Sequence, residues 1–483
     1  MVWRRSDRLR VSTRTIEAKR SETMKSTSQG DKSQLYQGRK VVAATLLGNT
    51  IEYYEFFIYG LSASLVFNQL FFPTFDPLVG TLLSLSTFAI AFVARPVGGW
   101  IFGHFGDRLG RRPILMITLS GMGVATFAIG LLPTYDKIGI AAPICLVLLR
   151  LLQGLSLGGE ASGGFIMTLE HAPRSHRTLF AGIVGSGNIW GLILGNGVFL
   201  AISQLPEDQL LSWGWRVPFL LSLALLIIAF YIRFKLEESP VFTAAKTAGE
   251  TTSRPSAELI RRHARTLILT ALSTLPVGIT FYVVTTFSAA YGKTIAVSST
   301  KVFTTTMIVA ALLTVVIPFF GWLGDRIDRK LIFCAGIAVM IVSPFIWFPL
   351  FNTGNLGLMV LGFLVPLVGF SATYGVQGAF YPLLYPTAVR YSGLAISTNV
   401  GAVIGASIAP MIATYLLGSF QSWTAIACYM AAAGIVALLA TLLLQESAID
   451  DHSVEQSARD DSGSSADSHS GARDLSMDRP QSL

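Results

Sequence analysis

Apolar stretches of about 20 residues or more recur along most of the chain, separated by short segments rich in Gly, Pro and charge. A bilayer core of about 30 Å takes about 20 helical residues to cross. The pattern predicts helices over 41–67, 77–104, 113–133, 138–169, 178–203 and 215–235, then over 265–292, 298–323, 331–350, 355–384, 389–417 and 420–444. Several of these stretches are longer than a perpendicular crossing needs and contain Gly or Pro, so tilted and kinked spans are expected. The expected fold class is an all-α membrane protein with twelve transmembrane helices, numbered here as spans 1 to 12.

The twelve spans divide into two related sets. GHFGDRLGRR, from Gly103 to Arg112, recurs as GWLGDRIDRK, from Gly321 to Lys330, so that Asp325 repeats Asp107. A fainter echo pairs Pro173 and Arg177, after span 4, with Pro386 and Arg390, after span 10. Both repeats are offset by a little under half the chain, which implies a duplicated six-helix unit and two pseudo-symmetric six-helix bundles. In such a duplication the binding site lies between the halves, near the middle of the membrane. The expected order is a basic N-terminal arm over 1–40, a bundle over 41–236, a central loop over 237–264, a second bundle over 265–444 and a disordered tail over 445–483. The tail is acidic, Ser-rich and without apolar heptads.

Composition supports the membrane reading, because 52% of residues are hydrophobic and only 13% charged. An ordinary soluble domain carries about a quarter charged residues, so a soluble enzyme is excluded. The net charge of +8 raises the possibility of nucleic acid, but the basic residues sit between apolar segments. Counted beside the spans, 19 Lys and Arg fall on one side against Lys137, Lys293 and Lys301 on the other. The positive-inside rule then puts both termini in the cytoplasm. The N-terminal arm lacks a short apolar region followed by a cleavage site, so no cleavable leader is expected. Cys145, Cys334 and Cys428 lie inside apolar stretches, with neither a disulfide pattern nor metal-ligand spacing.

Two sequences that spell soluble-enzyme motifs are read as helix contacts or chance. GLSLG, Gly154 to Gly158, matches a nucleophile elbow in spelling but lies within an apolar helix with no preceding strand. Its spacing suits close helix approach, as do Gly187, Gly191 and Gly195, and Gly401 and Gly405. Gly292-Lys293-Thr294 ends like a phosphate loop, but Phe287 stands where the earlier glycine is required. No ATP-driven module and no cofactor site are expected.

The strongest motif is the duplicated loop. Asp107 can accept hydrogen bonds from a helix N-terminus, Arg108, Arg111 and Arg112 can pair with carboxylates on neighbouring helix ends, and Gly103 and Gly110 keep the turn tight. An ordinary cationic loop is the plainer reading, and recurrence of the pattern argues against it. A gate is therefore expected from Gly103, Asp107, Arg108, Gly110, Arg111, Arg112, Asp325 and Arg326. Glu160, near the inner end of span 4, is its expected partner, with a substrate-facing role as the alternative.

In its duplicated loop and paired six-helix units the chain resembles the major facilitator superfamily, for which such repeats are a hallmark. Within it the chain is similar to the metabolite:H+ symporter family. The resemblance rests on LGNTIEYYEFFIYG in span 1, FVARPVGGWIFGHFGDRLGRRP across spans 2 and 3, LLRLLQGLSLGGE in span 4, SWGWRVPFLLS before span 6, LEESPVF after it and YPTAVRYSG after span 10. It implies the major facilitator fold, residence in a bacterial plasma (inner) membrane and proton-coupled uptake of proline or betaine, α-ketoglutarate, shikimate, citrate or a related acid. Where the family reads Glu-Trp-Tyr-Asp, this chain has Glu52-Tyr53-Tyr54-Glu55.

The coupling site is expected from depth. Arg95 lies three to four helical turns before Asp107, which at about 1.5 Å per residue is roughly 18 Å into a core of about 30 Å. Arg150 and Glu52, counted from the ends of spans 4 and 1, reach a similar level. Glu55 follows Glu52 by three positions and so is expected on its face. Charges there are costly unless they pair or face water; a structural ion-pair network is the plain alternative. The functional expectation has Arg95 clamping a substrate carboxylate, Glu52 or Glu55 carrying the proton and Arg150 tuning it. Tyr54, Tyr59 and Tyr282 join Arg95 as expected substrate contacts. The partners expected are a small organic acid, protons and the bilayer, with no nucleic acid. Uptake of a zwitterion, and a membrane receptor that senses a metabolite without moving it, stand as alternatives.

Overall fold

The computed structural model describes residues 38–63, 66–202, 204–234, 243 and 255–445. Most of the expected basic arm, the greater part of the central loop and all but the first residue of the expected tail therefore lie outside the described residues. Helices account for nearly all of what is described, and no strand occurs among those residues.

Among the described residues, ten helices are long and apolar enough to cross a bilayer: Ser86–Leu109, Arg111–Leu131, Ala141–His171, Arg177–Ile202, Gly214–Ile232, Glu258–Thr294, Thr300–Gly324, Leu356–Leu384, Thr387–Phe420 and Trp423–Leu443. An eleventh crossing is the pair Arg329–Val342 and Pro344–Asn352, bent by 44° where Pro344 opens the second piece. The helix over residues 38–63 occupies the place of span 1. These twelve correspond one for one to the predicted spans, and the largest difference is at span 7. Its helix starts at Pro255 and passes a non-helical His263 (φ −124°, ψ 17°) before entering the apolar stretch.

Glycines set the helix pairs, because in lipid no hydrophobic force drives helices together and they associate by close packing. A Cβ on Gly154 or Gly158 of span 4 would meet the carbonyls of Ala91 and Arg95 of span 2 at 2.3 and 2.2 Å, and one on Gly375 of span 10 would meet Ile317 of span 8 at 2.6 Å. Gly187 and Gly191 of span 5 lie against Leu46 and Thr50 of span 1, as Gly401 and Gly405 of span 11 lie against Ala271 and Leu275 of span 7. Pairs 2–4 and 8–10, and pairs 1–5 and 7–11, are thus the same contacts in two copies. GLSLG is a helix-packing ridge. The halves meet where span 2 packs on span 11 and span 8 on span 5.

Candidate functional site

A cavity of about 130 Å³ lies between the halves. Spans 1, 2, 4 and 5 line one wall and spans 7, 10 and 11 the other. Spans 7 and 11 each carry a five-residue π turn, Val283–Phe287 and Val403–Ser407, directly beside or among cavity-lining residues Tyr282 and Ala406. Such turns widen a helix locally and recur at functional sites.

Arg95 dominates the polar lining. Its Nη2 lies 4.0 Å from Glu52 Oε1, the guanidinium sits 4.8 Å from the Phe92 ring centre, and its Nε has no hydrogen-bond partner among the described residues. A buried guanidinium held by rings and one carboxylate at that distance retains donors for an anion. Opposite it, Tyr282, Tyr374, Gln377 and Asn399 present neutral polar groups from the second half. Tyr53 and Tyr374 approach to 3.4 Å between hydroxyls, and Asn399 donates to the Gly158 carbonyl at 2.8 Å, so both contacts bridge the halves.

Of the substrate contacts expected from sequence, Arg95 and Tyr282 line this cavity. Tyr54 and Tyr59 do not. Tyr54 donates to the Pro218 carbonyl at 2.8 Å, and Tyr59 hydrogen-bonds Thr87 beneath the Arg150 guanidinium, 3.6 Å from its ring centre. Tyr53, one residue earlier, faces the cavity instead. Glu55 also turns away. A step of three residues leaves Glu55 about 60° around the helix from Glu52, and at the edge of the cavity that offset is enough for Glu52 to line it while Glu55 meets Thr126 inside the first bundle. There Thr126 donates to Glu55, Gln153 donates to Thr126, and Arg150 donates to Gln153 at 2.6 Å. Arg150 thus reaches Glu55 through two neutral side chains, while Arg95 faces Glu52.

At the end of the bundle that carries the duplicated loop, Asp107 accepts from the backbone N–H groups of Tyr391 and Ser392 at 3.1 and 2.9 Å. Asp325 accepts from Thr178 and Leu179 at 2.7 and 2.9 Å. Each aspartate therefore caps the first turn of a helix in the opposite half, directly after Arg390 in one case and Arg177 in the other, so the faint echo and the strong repeat meet in space. Arg111 donates to Asp107 at 3.1 Å and approaches Glu170 to 3.8 Å, and Arg390 approaches Glu170 to 3.5 Å. Gly103 lets span 2 approach span 11 closely, since a Cβ there would meet Ser392 Cα at 2.8 Å. Gly110 has φ 117° and ψ 165°, a conformation that glycine adopts without strain. In the second copy Asp328 takes its place and caps the next helix through Lys330 and Leu331.

Several residues expected at the gate lie outside this network. Glu160 accepts from Thr118 at 2.8 Å, and Glu170, further along the same helix, is the carboxylate that Arg111 and Arg390 approach. Arg108 is exposed, and Arg326 stacks on Trp322 with 3.7 Å to the ring centre. Arg112 donates to the Phe234 carbonyl at span 6. Glu170 sits in the last turn of span 4, just before the Pro173–Arg177 echo, and that position was the available signal. Tyr374, Gln377 and Asn399 were visible as costly polar residues inside apolar helices. Among the described residues no group of three or more His, Cys, Asp and Glu could hold a metal.

The Major Facilitator Superfamily model matches residues 45–406. The inner membrane metabolite transport protein YhjE of Escherichia coli is 40% identical, over 84% of this chain and 94% of the relative. The shikimate transporter of E. coli is 34% identical over 86% of this chain and 96% of its own, and the proline/betaine transporter of the same organism is 33% identical over 85% and 84%. The solved proton:xylose symporter XylE shares the fold, with a TM-score of 0.66 at 18% identity over 85% of this chain and 95% of that one.

Proposed function

The chain belongs to the major facilitator superfamily, a family of transporters and not of enzymes, and we propose that it is a proton-coupled symporter importing a small organic acid by alternating access. The observation that carries this reading is Arg95, a guanidinium with donors to spare in a cavity lined by both halves. A carboxylate is the substrate group that matches its planar fork. The relatives named for metabolite and shikimate transport support the solute class. Closure at the duplicated-loop end supports alternating access, because the site is then shut from one side by contacts that can break. Glu52, beside Arg95 on the same wall of the cavity, is the group whose protonation would respond to an arriving anion.

One observation favours a second reading. Arg95 and Glu52 together offer a cation and an anion 4.0 Å apart, a pair that would receive a zwitterion, and the proline/betaine relative fits that class. Accumulation of labelled shikimate and of labelled proline in proteoliposomes under an imposed proton gradient separates the two, and accumulation of neither with retained ligand-induced thermal stabilisation would favour a receptor. In the same assay Glu52→Gln and Glu55→Gln are expected to differ. The variant that loses accumulation but keeps counterflow, which needs no net proton movement, marks the proton carrier. Wild-type accumulation in both would remove these carboxylates from the coupling.

The duplicated-loop end is proposed to face the cytoplasm of a bacterial inner membrane, with both termini there, on the strength of the 19-to-3 basic bias. Reporter fusions at residue 250 and at the C-terminus should read as cytoplasmic and one at residue 208 as outside. An outside C-terminus would overturn the orientation.

A further inference from the structure

A second, much smaller cavity lies inside the first bundle, between spans 1, 4 and 5, lined by Thr45, Asn49, Glu52, Glu160 and Val184 among others. It measures about 10 Å³, about the least space that holds one water. Glu52 belongs to its wall and to the wall of the main cavity at once. Thr45, Asn49 and Glu52 fall on one face of span 1, spaced four and three positions apart. Asn49 is 5% exposed; its amide nitrogen donates to the Val184 carbonyl at 2.8 Å, which fixes the amide, and its Oδ1 has no hydrogen-bond partner among the described residues. A buried carbonyl oxygen left without a donor costs about 1–3 kcal/mol. Two carboxylates and an unmatched amide oxygen around one water-sized space form a set of acceptors that a water or a hydronium ion satisfies.

We propose that this small cavity holds a single water that relays the proton between Glu52 and Glu160, making Glu160 the next proton acceptor on the path away from the substrate. The inference rests on the proposed proton coupling and names its route. In the step the Glu52 carboxyl gives its proton to the water while the water gives one of its own to the Glu160 carboxylate. Glu52 is left as carboxylate, Glu160 as carboxylic acid and the water unchanged. Asn49 Oδ1 accepts from the water and orients it. Thr118, donating to Glu160 Oε2 at 2.8 Å, holds the receiving carboxyl in place. The charged group facing Glu52 from the other side is Arg95, so a substrate carboxylate drawn to Arg95 changes the field at the head of the relay. This separates Glu160 from the ion pairs at the duplicated-loop end, whose carboxylate is Glu170.

The test uses the full-length protein in proteoliposomes, with labelled shikimate and labelled proline as probes. Glu160→Gln keeps the size of the side chain and an acceptor for Thr118, and Asn49→Leu fills the water's place. Both should lower proton-driven accumulation about tenfold or more while counterflow stays near wild type, which also shows that the variants fold. Infrared difference spectra of the purified protein supply the second arm: Glu52→Gln should shift the carboxyl C=O band that Glu160→Gln abolishes, and Asn49→Leu should uncouple the two. Wild-type accumulation by Glu160→Gln, or a Glu160 band indifferent to Glu52→Gln, overturns the relay and leaves proton-coupled transport standing. If the wild type accumulates neither probe under a proton gradient, the proposed coupling fails, and the infrared arm alone decides whether the two carboxyls share a water.

Discussion

Arg95→Lys should raise the apparent KM for a carboxylate substrate about ten- to a hundredfold, while the protein's melting temperature stays close to wild type. The substitution keeps the positive charge and loses the planar fork, and a hydrogen bond to a charged group contributes about 1.5–3 kcal/mol, with each step of about 1.4 kcal/mol worth about tenfold in affinity. Arg95→Ala should go further and leave no measurable uptake, because it also removes the cation that Glu52 faces at 4.0 Å. Initial-rate uptake over a range of substrate concentrations, beside a thermal melt, checks both. An unchanged KM in Arg95→Lys would mean that the fork does not hold the substrate, whatever the depth of the residue.

Asp107→Ala should shift the protein toward the state open at the duplicated-loop end by about a hundredfold. Asp107 caps span 11 through Tyr391 and Ser392 and receives Arg111 at 3.1 Å, all at buried positions. Arg111 belongs to the same half as Asp107, so what the closed arrangement alone loses is the pair of hydrogen bonds from the span 11 backbone to Asp107, and hydrogen bonds to a charged group contribute about 1.5–3 kcal/mol each. That cost falls on the closed arrangement alone, since only there do the halves meet, so it becomes a change in population. Asp107→Asn, which keeps one oxygen for the helix cap, should shift the balance less. With Cys145, Cys334 and Cys428 replaced, a single cysteine at Ser162 in the cavity wall reports the change as faster labelling by an impermeant thiol reagent added on the duplicated-loop side. Labelling at the wild-type rate with full transport would remove Asp107 from the gate.

What the sequence determined by itself follows from distance along the chain. The bilayer imposes a length on every apolar helix, so hydropathy placed the spans, and a bent ninth span or a seventh that starts at Pro255 only adjusts their ends. Duplication was readable because a tight glycine turn with a helix-capping aspartate leaves little choice of residue, and so both Asp107 and Asp325 stand out. Depth was readable too, since a helix rises by a fixed step, and it put Arg95 and Glu52 at one level, where the fold brings them face to face.

Rotation about the helix axis was left to the tertiary structure. In water the polar side of a helix marks its outward face; in lipid both faces are apolar, and which side meets a neighbour is decided by packing, largely by where glycines let two backbones approach. Gly187 and Gly191 press against the Leu46–Thr50 stretch of span 1 and set its rotation. That rotation turns Tyr53 and Glu52 to the cavity, Tyr54 to Pro218 and Glu55 to Thr126. The same cause puts Glu170 rather than Glu160 beside the duplicated loop: both are buried acids on span 4, but Glu170 meets Arg111 of its own half and Arg390 of the other half, 220 residues along the chain. A contact that exists only when two halves close cannot be read from either half alone, and in this protein the Asp107 and Asp325 caps and the cavity between the halves are of that kind.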